Sequence, residues 1–244
     1  MNLDDAYLTF DIDWTCDEAV QYVLDKLEQY SCKATFFITH ESPLIERMKE
    51  NEHIELGLHP NFRKFLCPDK SVRPYDLEAP LRELKNIVPD AVSVRCHSLI
   101  QGTVFFNLFK DFDLLVDCNP YIPYSQGVEI RPWRFWTGTL VVPFVWSDYI
   151  DALRMGNTEP RDLLVTEGVI KSVVFHPIHV YLNISTIEEY EHFRSSGMGA
   201  VEYRERTIGD KRGIGNIFDD FLQEVNNLKI STAFVKKLLD QQER

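Results

Sequence analysis

The residues YLTFDIDWTCDEAVQYVLDKLEQYSCKATFFITHESPLIERMKENEHIELGL (7–58) alternate short apolar runs with longer amphipathic ones, and that alternation decides the fold. Tyr7 to Ile12 reads as a strand and Cys16 to Tyr30 as an amphipathic helix. Lys33 to Thr39, rich in β-branched and aromatic residues, is the next strand, Ser42 to Asn51 the next helix, and Ile54 to Leu58 a third strand. The same rhythm runs on. Asp76 to Ile87 is predicted as a helix, Ala91 to Cys96 as a strand, Gly102 to Lys110 as a helix and Asp113 to Asp117 as a strand. Strands alternating with helices of ~10–15 residues build βαβ units on a parallel sheet.

The rhythm breaks after Asn119. Proline and aromatics without helical periodicity predict a long loop across one barrel end, then a strand at Leu140 to Val145. Pro160 to Glu167 returns as a helix, Ser172 to Phe175 as a strand and Thr186 to Phe193 as a helix. The glycine-rich, charged stretch 195–216 reads as a mobile loop, followed by helices at Ile217 to Leu228 and Thr232 to Gln241. No repeat or linker divides the chain. The expectation is one domain over 1–244, an α/β distorted and incomplete (β/α) barrel, with loop and helices closing it over 181–244.

Composition narrows the partners. The chain has 26 basic and 38 acidic residues, a net charge of −12, which repels nucleic acid and anionic membrane. No run approaches the ~18 apolar residues of a membrane span. The acidic start MNLDDAYLTF lacks the basic-then-apolar plan of a secretory signal, so a cytoplasmic protein is expected. Cys16, Cys32, Cys67, Cys96 and Cys118 are odd in number and form no CxxC pair, which predicts reduced, mostly buried thiols.

The histidines carry the functional signal. Of seven, five stand at or just past the end of a predicted strand: His40, His59, His97, His176 and His179. Asp11 and Asp13 end the first strand in the same way. In β/α barrels the loops after the strands share one mouth, where such residues converge. Imidazoles and carboxylates together suit zinc or another divalent metal. In extended chain Asp11 and Asp13 point to the same side, so they repel unless a cation separates them or one takes a proton. A plain acidic turn fits the spacing as well. His53 and His192, off the strand ends, read as hydrogen-bonded core residues.

Taken together, LTFDID, KATFFIT, ELGLHPNF, SVRCH, LVVPFVWSD and VVFHP resemble the NodB-type polysaccharide deacetylases, in that order and over Leu8 to Val180. HPNF and HPIHVYLN are similar to the WbmS-like branch, associated with bacterial surface-polysaccharide gene clusters. The resemblance implies Asp11 as base, Arg95 as its partner, Asp13 and His59 as metal ligands and His176 as general acid. It also implies Asp148 as a supporting carboxylate and Trp146 as an aromatic wall. Trp133, Trp136 and Trp146 are candidates for a sugar platform, with His179 beside the substrate, and ordinary core packing explains the tryptophans about as well. Two departures stand out. Arg63 replaces the usual second metal histidine, and His97 replaces the proline of the RxP motif. His97 is therefore expected as the third ligand, with His40 and Asn61 as alternatives.

The implied activity is removal of an N-acyl group, acetyl or formyl, from an amino sugar, with one divalent metal ion, Zn²⁺ foremost. Two other readings stay open: a metal amidohydrolase acting on a small nitrogenous compound, and a catalytically silent saccharide- or protein-binding relative. The sugar, the metal and the oligomeric state are not fixed by the sequence.

Overall fold

The structure is a computed structural model that describes residues 3–63, 76–154, 156, 158–207, 209 and 211–241. Nine strands form one sheet in the order β6-β7-β5-β4-β3-β2-β1-β9-β8. They are β1 Ala6–Asp11, β2 Ala34–Ile38, β3 Ile54–Leu58, β4 Ser93–Val94, β5 Val116–Asp117, β6 Trp133–Arg134, β7 Leu140–Val141, β8 Trp146–Ser147 and β9 Lys171–Phe175. Every pairing is parallel except β6 with β7. The sheet curls into the expected incomplete barrel, with helices on its outer face.

Strand alternation sorts the side chains into two layers. Leu8 and Phe10 of β1, Phe36 and Ile38 of β2, and Leu56 and Leu58 of β3 belong to the larger core under the helices. Tyr7, Phe37, Val116, Leu140 and Val145 fill a second core inside the curl. Helix α1, Asp17–Gln29, buries Ala19, Val20, Val23, Leu24 and Leu27 as one apolar stripe. Its first turn carries Asp17 and Glu18 and its last Lys26, matching the helix dipole. Gly57 faces inward where no side chain fits, because a Cβ there would meet Ser93 Oγ at 2.6 Å and Phe37 Cδ1 at 2.8 Å.

The lower end of the curl is plugged by the C-terminal segment. Ala6 N–H donates to Ser231 O and Ala233 N–H to Ala6 O, at 2.8 and 3.0 Å. Buried Glu55 accepts from Thr35 and Ser93 hydroxyls at 2.8 and 3.1 Å. With that end closed, the strand exits form the open end.

The sequence reading departs from the structure in a few places. Strand 113–117 shrinks to β5 and the strand 140–145 to β7, with β8 following it. Helix α6, Pro177–Leu182, stands where no helix is expected. Helix α8, Ala200–Thr207, occupies part of the stretch read as a mobile loop. The last predicted helix reduces to Lys237–Asp240. The remaining helices, α2 Leu44–Glu50, α3 Ala79–Ile87, α4 Thr103–Asp111, α5 Pro160–Val165, α7 Ile187–Ser196 and α9 Ile214–Asn227, match expected ones within a few residues. Cys32, Cys96 and Cys118 are buried free thiols and Cys16 is a half-buried one, whereas Cys67 lies outside the described residues. Among the described residues no helix is long and apolar enough to cross a membrane.

Candidate active site

Each strand exit delivers its polar residue to one rim by a different local device. Asp11 closes β1 on the inner face and is buried. Asp13 does not continue the strand register: it sits in the following turn at φ 39°, with Trp14 at φ 55°. Left-handed conformations in non-glycine residues carry a cost and gather at functional sites. His59 follows β3 directly, its N–H bonded to Ile38 O at 2.8 Å. His97 opens a 3₁₀ turn after β4, and its N–H donates to Pro60 O at 3.0 Å, which ties the exits of β3 and β4 together. Asp148 begins a π-helical turn, Asp148–Ala152, after β8. His176 caps α6, which carries His179 round to the same face three residues later.

Asp11, Asp13, His59, His97, His176 and His179 line one cavity of about 350 Å³, together with Arg63, Tyr149, Tyr190 and Arg194, whereas Asp148 is buried and does not line it. Two clusters of one aspartate and two histidines face each other across it. In the first, Asp13 Oδ1 lies 3.1 Å from His59 Nε2 and 3.0 Å from His97 Nδ1. Burial alone would raise the Asp13 carboxyl. The hydrogen bonds of His59 and His97, with the charge of His176, overcome it and hold this group far below the usual carboxylate range.

In the second cluster Asp148 is fully buried. Its Oδ1 meets His176 Nδ1 at 2.7 Å and Tyr149 N–H at 2.7 Å, and its Oδ2 meets His179 Nδ1 at 3.0 Å and His176 N–H at 2.7 Å. Burial opposes its charge, but the two imidazoles outweigh burial and depress its pKa. Burial likewise disfavours a charged His176, yet Asp148 dominates and pushes its pKa up to about 10. For His179 burial prevails and the pKa falls. One carboxylate balances one proton, and His176 holds it. His176 Nε2 then points across the cavity, 3.7 Å from Asp13 Oδ2.

Beneath the first cluster lies a buried ion pair whose carboxylate borders the cavity. Arg95 donates from Nη1 to Asp11 Oδ1 at 2.9 Å, from Nη2 to Thr9 Oγ1 at 3.0 Å and from Nε to Cys118 O at 2.9 Å. Its guanidinium lies 4.5 Å from the Phe37 ring centre. Every Arg95 contact is with the barrel interior, so Asp11 is held in one place.

The three donors at Asp13 fit a divalent metal. Asp13, His59 and His97 each offer one ligand atom, all within 4.8 Å of one another, and among the described residues no backbone N–H competes for the Asp13 oxygens. An aspartate and two imidazoles are an ordinary zinc set that leaves a position open for water or substrate. Asp148 meets the same distance criterion with His176 and His179. Four N–H groups already point at its two oxygens, so that cluster fits a hydrogen-bonded proton holder.

Asp11, Asp13, His59, Arg95, His97, Asp148, His176 and His179 thus come together as the sequence suggested, and Arg63 stands at the lip. His40 does not reach the cavity: its Nδ1 pairs with Thr39 Oγ1 at 2.7 Å. Asn61 Oδ1 instead accepts from the Arg63 N–H at 3.0 Å. Trp146 is no wall of the site. It is fully buried and packs on Phe175 at 5.0 Å between ring centres. Trp133, on the antiparallel edge strand, and Trp136 are exposed and do not line the cavity. His192 is exposed and His53 half-exposed, so neither is a core residue. The aromatic lining comes from Phe144, Tyr149 and Tyr190, the two tyrosines 6.5 Å apart between ring centres. Tyr149 is signalled only by following Asp148, whereas Tyr190 and Arg194 carry no sequence signal.

A family model described as WbmS-like polysaccharide deacetylase matches residues 8–194. Among solved structures, one from Bordetella bronchiseptica superposes with a TM-score of 0.77 at 31% identity, covering 89% of each chain. That protein is described as involved in O-antigen biosynthesis and provisionally assigned as a polysaccharide deacetylase. A 4-α-glucanotransferase from Thermococcus litoralis shares the fold over 97% of this chain and 38% of its own, with a TM-score of 0.53 and 13% identity. No curated protein sequence matches the chain.

Proposed function

The chain belongs to the WbmS-like polysaccharide deacetylase family, and from that premise we propose that it hydrolyses an N-acyl group, acetyl or formyl, from an amino sugar of a surface polysaccharide or its precursor. Asp13, His59 and His97 would hold one divalent metal, zinc by its donor set. The observation that carries the reading is the carboxylate of Asp13 meeting two imidazoles at 3.1 and 3.0 Å, with a base below and an acid opposite.

When bound, the metal supplies Lewis-acid polarisation of the amide carbonyl and acidifies a water. Asp11 takes the proton of the attacking water. Arg95 fixes its position, and the buried pair prevents the carboxylate from swinging into solvent. His176 gives a proton from Nε2 to the departing nitrogen, which otherwise leaves as a poor amide anion. Asp148 accepts from the imidazole Nδ1–H and keeps the ring doubly protonated at neutral pH, which leaves Nε2–H free to donate. The turn of Asp13 and the 3₁₀ turn of His97 present their side chains from opposite sides of His59.

The test is release of acetate or formate from N-acylated amino-sugar glycans by zinc-loaded protein. Chelation should abolish the release and zinc should restore it. Absence of release from a broad panel, with zinc shown to be bound, would sink the reading.

A further inference from the structure

Among the described residues, few buried side-chain polar atoms lack a partner, and two of these belong to residues lining the cavity: His59 Nδ1 and His179 Nε2. The first has the Asp11 carboxylate 3.7 Å away. The second has no hydrogen-bond partner among the described residues. Buried polar atoms are as a rule satisfied, so an orphan on a cavity-lining residue calls for a partner from within the cavity.

The chemistry of that atom follows from Asp148. An ionised carboxylate only accepts hydrogen bonds, so the 3.0 Å contact makes His179 Nδ1 the N–H donor. With Nδ1–H given to Asp148 and, among the described residues, no acceptor within hydrogen-bond distance of Nε2, the geometry suits the neutral ring, whose Nε2 carries a lone pair. Two imidazoles on one aspartate thus play opposite parts: His176 Nε2 donates and His179 Nε2 accepts. Their ring centres are 4.8 Å apart, so they can address neighbouring substituents of one sugar ring. Tyr149 stacks over His179 at 6.1 Å and Tyr190 meets it edge-on at 4.4 Å, which fixes the imidazole plane.

We propose that His179 is a specificity-determining residue whose Nε2 accepts a hydrogen bond from a free hydroxyl vicinal to the acylated nitrogen. The substrate is then an amino sugar unsubstituted at that hydroxyl, and deoxy, ether or ester forms are rejected. This rests on the function proposed above.

The experiment compares zinc-loaded wild-type protein with His179→Asn. Asparagine retains a donor toward Asp148 but has no atom at the Nε2 position. The probes are the methyl glycosides of N-acetylglucosamine and N-acetylgalactosamine and their 3-deoxy analogues, titrated by NMR. Wild type is expected to bind the hydroxylated sugars about tenfold more tightly than the deoxy ones, the worth of one neutral hydrogen bond. His179→Asn should bind both alike while remaining folded and zinc-loaded, with a melting temperature lowered by the lost ring packing. A variant that discriminates as wild type does would overturn the proposal and leave the function standing. If no glycoside binds wild type, the function and this inference fall together.

Discussion

The two aspartate–histidine clusters have the same composition and opposite physics. Asp13 is partly open to the cavity and, among the described residues, is met by side chains alone, through Nε2 of one histidine and Nδ1 of another. Asp148 is sealed and receives two backbone N–H groups as well as two Nδ1 atoms. On the proposed reading, what separates a metal cradle from a proton holder is how many donors already occupy the carboxylate and whether it faces open space. Ligand identity alone does not separate them.

The largest expected effect breaks the first cluster. Asp13→Ala should lose zinc and, with it, more than ~10³-fold in rate, since metal activation supplies several kcal/mol. Metal analysis of the purified variant beside its kcat checks both. Asp11→Asn should keep full zinc while losing ~10²–10⁴-fold in kcat, the usual worth of a general base. A variant at Asp11 that also loses zinc would move this residue into the metal set.

Asp148→Asn tests the second cluster. Zinc content should be unchanged, while kcat falls ~10²-fold. The sign of the pH effect follows from His176. Asp148 holds its pKa up at about 10, so removing the carboxylate lowers it, and the protonated acid is lost at lower pH. The alkaline limb of the rate profile should shift downward. An unmoved limb would show that Asp148 does not govern the proton.

The smallest effect concerns a buried carboxylate that has no histidine at all. Asp117 is held by Asn119 at one oxygen, the other has no partner, and burial pushes its pKa up to about 6. The folded protein binds this proton more tightly than the unfolded chain does. The penalty is therefore absent below about pH 4 and grows as pH rises through 6. Asp117→Asn should raise stability at pH 8 by about 2–3 kcal/mol, roughly 5 °C in Tm, with no gain at pH 4. Equal Tm differences at both pH values would contradict the assignment.

Much of this was legible in the chain. Strand alternation predicted β1, β2 and β3 nearly to the residue, because their inner and outer faces both enter packed cores. Histidines at strand exits predicted the rim. The illegible parts have physical causes. Helix α6 is short and buried on almost every side, so it has no amphipathic period and resembles a strand exit. Helix α8 has a low-contrast, charged sequence beside glycines. Trp146 looked like a wall because its motif places it near Asp148, yet strand alternation turns it outward, into the core under the helices. Tyr190 and Arg194 reach the cavity only through the docking of α7, which local sequence does not encode.

The central claim is that metal binds at Asp13 and not at Asp148. Anomalous scattering at the zinc edge from a zinc-loaded crystal tests it directly. One peak is expected, ~2.0–2.2 Å from Asp13 Oδ1, His59 Nε2 and His97 Nδ1, with none at the opposite cluster. A peak bonded to Asp148, His176 and His179, or no peak within reach of His97, would contradict it.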